Sequence, residues 1–147
     1  MVAAWACHEG AARTVVRRLK YEAVTSVAAM VAGDLVDRLP PDAECVVPVP
    51  RSVARRVRYG IDPALALATA VGRLAGVPVV HALGPALWSP ANAGESRARR
   101  VPPTFRRRSS PSGVTLVDDV VTTGETLDSA ALTLGRVVGA LTITGVP

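Results

Sequence analysis

An α/β fold, a sheet with helices packed on it, is the class this chain predicts. Three observations carry it. Apolar residues alternate between helical and strand periods along the chain; Val114, Leu116 and Val117 form a run short and apolar enough for a buried strand; and a helical stripe follows that run directly. With 147 residues and 49% hydrophobic content, a single domain spanning 1–147 can bury a core without a second unit. Aromatics make up only 3%, so Val, Leu and Ala must build that core.

Taken in order, Ala12, Val15, Val16 and Leu19 mark a first helix, and Val27, Val31, Leu35 and Leu39 a second, stopped by Pro40 and Pro41. Cys45 to Val49 reads as a buried strand. Asp62 and Pro63 supply the cap and first position of a helix reaching Leu74, with Gly76 as its terminator. Val77 to Leu83 is the next strand. Residues 84–112, holding Pro85, Pro90, Gly94, Pro102, Pro103 and Pro111, read as an irregular, flexible basic loop. The strand from Val114 follows, then a helix whose apolar positions run from Leu127 to Val138, then a last strand, Leu141 to Val146.

Cys7 and Cys45 offer neither a metal quartet nor a disulfide framework, and both read as reduced packing residues. Zinc is not expected. No cationic, apolar leader opens the chain and no apolar run reaches about 20 residues, so the expectation is a cytoplasmic protein without a membrane partner. His81, inside an apolar strand, reads as a structural histidine, and Trp88 as a loop anchor.

The densest chemistry lies in VTLVDDVVTTGET, Val114 to Thr126. Asp118 and Asp119 fall at the carboxyl end of the strand, where open parallel sheets bind their ligands. Carboxylates there can accept hydrogen bonds from vicinal hydroxyls or help hold a hydrated Mg²⁺, which prefers one or two carboxylates plus phosphate oxygens. Thr122, Thr123, Gly124, Glu125 and Thr126 then lead into the helix. Unpaired amides and the positive end of the helix dipole favour an anion there, threonine hydroxyls add donors, and a glycine lets the backbone approach closely. A monophosphate fits such a nest. The plainer alternative is Thr122 or Thr123 as a simple N-cap beside a solvated strand end. A P-loop is excluded by the absence of GxxxxGK[ST], and a receiver domain by the lack of a suitably placed lysine, since Lys20 is the only one.

Net charge is +5, and arginine is concentrated between Arg51 and Arg108, where only Asp62 and Glu95 oppose it. Arg51, Arg55, Arg56 and Arg58 follow the strand ending at Val49, at a carboxyl end that can face the same crevice as Asp118. Guanidinium groups bind phosphate oxygens bidentately, and the amides of Arg51 and Ser52 can add donors if the turn folds as a nest. A diphosphate suits Arg51, Ser52 and Arg55. A second cluster, Arg97, Arg99, Arg100, Arg106, Arg107 and Arg108, sits in the basic loop.

LVDDVVTTGETL, Leu116 to Leu127, resembles the phosphoribosyl diphosphate (PRPP) signature of type I phosphoribosyltransferases, and more narrowly the competence-associated ComF family. RRLKYEA (Arg17 to Ala23), VVPVPRS (Val46 to Ser52) and RRVRYGIDPALALATAVGRLAG (Arg55 to Gly76) agree in order. The resemblance implies an open, mainly parallel sheet with helices on both faces. It implies transfer of ribose 5-phosphate from PRPP to a nitrogen acceptor, such as a nucleobase, with diphosphate release assisted by Mg²⁺. In it Asp118 and Asp119 are catalytic and touch the metal only through PRPP and water, Thr122 to Thr126 bind the 5′-phosphate, Arg51, Ser52 and Arg55 bind diphosphate, and Arg97, Arg99 and Arg100 lie on a closing loop. The sequence departs from the ComF pattern in two ways. It begins at the transferase-like part, without an amino-terminal zinc module, and Asn92, Pro102 and Pro103 stand in the loop where a glutamine and an asparagine are usual.

Two other classes stay open from sequence: a PRPP-binding module without turnover, serving DNA uptake with competence proteins, and a basic nucleic-acid binder, for example of single-stranded DNA. Few aromatics interleave the arginines, so base stacking is poorly supported. A homodimer is also left open.

Overall fold

In a computed structural model of the chain, residues 1–7, 14, 25–51, 62–85 and 104–145 are described. Their elements are β1 (Val2–Cys7), α1 (Thr25–Val36), β2 (Cys45–Pro48), α2 (Pro63–Ala75), β3 (Leu83–Pro85), β4 (Phe105–Arg107), β5 (Val114–Val121), α3 (Glu125–Leu134) and β6 (Gly139–Gly145). β1, β6, β5 and β2 form one sheet in that order, and every pairing in it is parallel. The fold is thus the open, mainly parallel α/β sheet that the sequence predicts.

Alternation along the strands divides the core between the two faces of the sheet. Val46, Val117, Leu141 and Ile143 pack with Val31 and Leu35 of α1 and with Leu67 and Val71 of α2. Their neighbours Val47, Leu116 and Ala140 face the other way, onto Leu127, Ala130 and Leu134 of α3. A side-chain period of two on strands buried on both faces produces this division, and it accounts for the near-continuous apolar runs.

α2 follows its sequence signals closely. Asp62 accepts a hydrogen bond from the Leu65 amide, Pro63 occupies the first turn, and the chain leaves the helix at Gly76. α3 stops earlier than its apolar stripe suggests. The Gly135 amide closes on the Ala131 carbonyl, and the Val138 amide is taken by the Val114 carbonyl of β5, so Val137 and Val138 belong to the connection into β6.

Three further differences have local causes. Val77 to Leu83 is not one strand: β2 receives a single bridge from Val79, with the Val46 amide donating to the Pro78 carbonyl and the Val80 amide to the Val46 carbonyl. Pro78 has no amide to extend that ladder. The chain then turns away, and Leu83–Pro85 pairs antiparallel with Phe105–Arg107. The two ends of the predicted irregular loop therefore form a short ribbon. β1 has no counterpart among the predicted elements; its alanine-rich run joins β6 at the sheet edge, where the Trp5 indole donates to Asp34 of α1. The stripe Ala12, Val15, Val16 and Leu19 lies outside the described residues.

A candidate anion and polyol crevice between β2 and β5

β2 and β5 are neighbours in the sheet, yet the chain leaves them toward opposite faces. From β5 it runs to α3 on one face; the next described element after β2 is α2, on the other. In open α/β sheets a divergence of this kind, beyond the carboxyl ends of two adjacent parallel strands, is where ligands are held, which makes the ends of β2 and β5 the candidate site.

The register brings charged groups into it. The Val49 amide still donates to the Val117 carbonyl, at 2.9 Å, so the chain stays beside β5 past the end of β2. Two residues further along the chain from this pair stand Arg51, past the end of β2, and Asp119, within β5. Nη2 of Arg51 donates to Oδ2 of Asp119 at 3.1 Å, and their side chains are only 14% and 12% exposed. Asp118 is buried as well, and its Oδ1 accepts the Asp119 amide at 2.8 Å. This local bond fixes one carboxylate against the backbone of the other. β5 continues to Val121, so the aspartates sit inside the strand, three and two residues before its end rather than at its last position. The extension follows from pairing with β6, where Val120 faces Thr144 and Val121 faces Gly145.

Past Val121, Thr122 and Thr123 are exposed and Gly124 takes the N-cap position of α3 with φ 83°, ψ −15°. No side chain caps the helix, so neither threonine acts as the simple N-cap of the plainer alternative. The first-turn amides of an α-helix have no acceptor within the helix, and here the first backbone bond is from Asp128 to the Gly124 carbonyl, 2.9 Å. Glu125 and Asp128 already place negative charge in that first turn, which tempers the attraction for a further anion.

Strand β6 contributes residues that the sequence reading assigned no part. Thr142 pairs with Asp118 in the register, Thr144 with Val120, and both threonines are fully buried. The signal is present in LTITG, where threonines alternate with Leu141 and Ile143; on a strand buried on both faces, such polar positions stand out. His81 is exposed and outside any strand. Ser52, Arg55, Arg97, Arg99 and Arg100 lie outside the described residues. Arg106, Arg107 and Arg108 lie along the ribbon, exposed, and the Arg108 guanidinium lies over Gly84, where an added Cβ would meet its Nε at 2.7 Å.

The donor set suits a cation that keeps most of its water. Two adjacent carboxylates are the ligand number Mg²⁺ uses alongside phosphate oxygens. Among the described residues no group of three His, Cys, Asp or Glu side chains comes together, so the chain there forms no all-protein metal cage. No helix among the described residues is long and apolar enough to cross a membrane. No protein-family model matches this chain, and a search of the curated proteins finds no match.

Proposed function

We propose that the chain binds PRPP in the crevice between β2 and β5 and transfers its ribose 5-phosphate to a nitrogen acceptor, as the resemblance of Leu116 to Leu127 to the phosphoribosyltransferase signature implies. The observation that carries this reading is the Arg51 to Asp119 contact. It joins a cation following one strand to a buried acid pair on the next, beside an uncapped helix start.

Each part of PRPP then has a chemical counterpart. The 5′-phosphate takes the turn from Thr122 to Thr126, where backbone amides, hydroxyls and the helix dipole favour it. Asp118 and Asp119 accept the ribose 2′- and 3′-hydroxyls and favour positive charge as it develops on the sugar. Arg51 holds the diphosphate. The bond from the anomeric carbon to the diphosphate oxygen breaks, that oxygen keeps the electron pair, and the acceptor nitrogen supplies the new bond and loses its proton to solvent. Bound Mg²⁺ would lower the charge on the leaving group. In this reading placement and electrostatics supply the catalysis.

Calorimetry with PRPP and Mg²⁺ tests the reading. Saturable binding to the wild type, weakened about tenfold or more in both Asp119→Asn and Thr123→Val, is the expected result. Equal affinity in the wild type and both variants contradicts it. Diphosphate release with a panel of nucleobases separates transferase from binding module: turnover supports the transferase, and binding without turnover across the panel supports the module.

A second reading, a nucleic-acid binder, is favoured by the ribbon, which exposes Arg106, Arg107 and Arg108 in succession. It predicts oligonucleotide affinity that falls steeply with salt and that drops on replacing these three arginines.

A further inference from the structure

The β3 and β4 ribbon carries chemistry that the crevice does not use. Alternation along its strands gives it two faces. Leu83 lies in, and Phe105 packs against, the cluster that holds Leu127 and Ala130 of α3. Gly84 pairs with Arg106 across the ribbon, so the two share the opposite face. Arg108 joins them there, because its amide donates to the Ala82 carbonyl and continues the alternation past the end of β4. The side chain agrees with this placement. A Cβ added at Gly84 would meet Arg108 Nε at 2.7 Å and Nη2 at 3.1 Å, so the guanidinium occupies the space that a side chain at residue 84 would fill. Drawn across the ribbon in this way, the fork of Arg108 ends beside the stem of Arg106.

Both arginines are exposed, and neither guanidinium makes an ion pair or a hydrogen bond among the described residues. Residues 77–85 and 104–112 contain no Asp or Glu. Two like charges held on one small face repel, which favours an anion between them. Arginine forks meet phosphate oxygens bidentately. We infer that Arg106 and Arg108, with Gly84 as the seat of the second guanidinium, form a phosphate site built from residues outside the crevice. Arg107 pairs with Leu83, belongs to the other face and takes no part. The second reading above treats the three arginines as one basic row; the two-faced ribbon singles out two of them and gives Gly84 a role. Phe105, the aromatic residue of the ribbon, is turned inward, so the site grips phosphate and reads no base. A mononucleotide and the backbone of a nucleic-acid strand both offer that phosphate, and two probes separate them.

Binding of a fluorescent mononucleotide and of a fluorescent oligothymidine is followed by anisotropy at low salt, with thermal melts confirming that each variant is folded. The expected result is saturable binding of at least one probe, about five- to tenfold weaker in Arg106→Gln and in Arg108→Gln and unchanged in Arg107→Gln. Gly84→Ala weakens binding as much as Arg108→Gln does, because the new Cβ displaces the end of a flexible side chain and not the backbone. It adds nothing in an Arg108→Gln background. For oligothymidine, each of the two effective arginine replacements also lowers the salt slope by about 0.7. This pattern with the mononucleotide supports a small-ligand phosphate, and the same pattern with oligothymidine alone supports a strand backbone. Equal losses in all three arginine variants, or wild-type binding in Gly84→Ala, overturn the inference and leave the second reading standing. Failure of the wild type to bind either probe overturns both.

Discussion

Gly124 shows how one residue sets the site. Its φ of 83° lies in the left-handed region, and a Cβ built there has nothing nearer than Asp128 Oδ2 at 3.8 Å. Conformation, not crowding, therefore reserves this position for glycine. Gly124→Ala is expected to lower stability by about 1–2 kcal/mol and to weaken PRPP binding by shifting the amides that follow, read by urea melts and calorimetry. Cys45, at the far end of β2, titrates. Burial pushes its thiol pKa up, with the neighbouring Glu44 carboxylate adding to the effect, and its thiol donates to the Ser112 carbonyl. The folded chain thus holds this proton more tightly than the unfolded chain, whose thiol titrates near about 8.5. The corresponding stability is complete below that value and is lost as pH rises through the folded pKa. Melts from pH 7.5 upward should show an alkaline decline that Cys45→Ala reduces; the same decline in both proteins would refute the assignment. The aspartates and Arg51 were legible because carboxyl ends of strands can be read from apolar runs. Their mutual contact was not, since it depends on the register between β2 and β5 and joins two residues 68 positions apart in sequence.

Elements with strong local signals formed where the sequence put them. α2 carries an acidic cap, a first-turn proline and a terminal glycine, and its bounds agree with these signals to within a residue. Where local signals were weak, tertiary pairing decided. Val77 to Leu83 has the composition of a strand, but Pro78 and the ribbon beyond it limit its contact with β2 to one bridge. The apolar stripe through Val138 overran α3 because Val137 and Val138 are half-buried on the connection into β6, not on the helix. α2 also offers an element-scale test whose sign is informative. A Cβ at Gly72 would meet the Val77 carbonyl oxygen at 2.8 Å and Val79 Cγ2 at 3.0 Å. Helix propensity alone would make Gly72→Ala stabilising by about 1 kcal/mol. Close approach to backbone outweighs that, and a net loss of roughly 1–3 kcal/mol is expected in denaturant melts. A more stable variant would show that the helix can move off the strand cheaply.

For the whole molecule, the decisive feature is a parallel sheet buried on both faces, with its crevice where adjacent strands feed opposite faces. Leu141 is fully buried in the core under α1 and α2. Leu141→Ala is expected to cost about 2–5 kcal/mol, measured by urea unfolding. Fold class was readable because strand and helix periods alternate along the chain. The order β1, β6, β5, β2 was not, because no local pattern states which strands become neighbours. That order lays Arg51 across from Asp119 and so brings the separate motifs together in the candidate site. A crystal structure of the protein with PRPP and Mg²⁺ tests this most directly. It should show the 5′-phosphate at the amides of Gly124 to Thr126, the ribose hydroxyls on Asp118 and Asp119, and Arg51 turned from Asp119 to the diphosphate. PRPP bound elsewhere, for instance on the arginines of the β3 and β4 ribbon, with the Arg51 to Asp119 pair intact, would contradict the account.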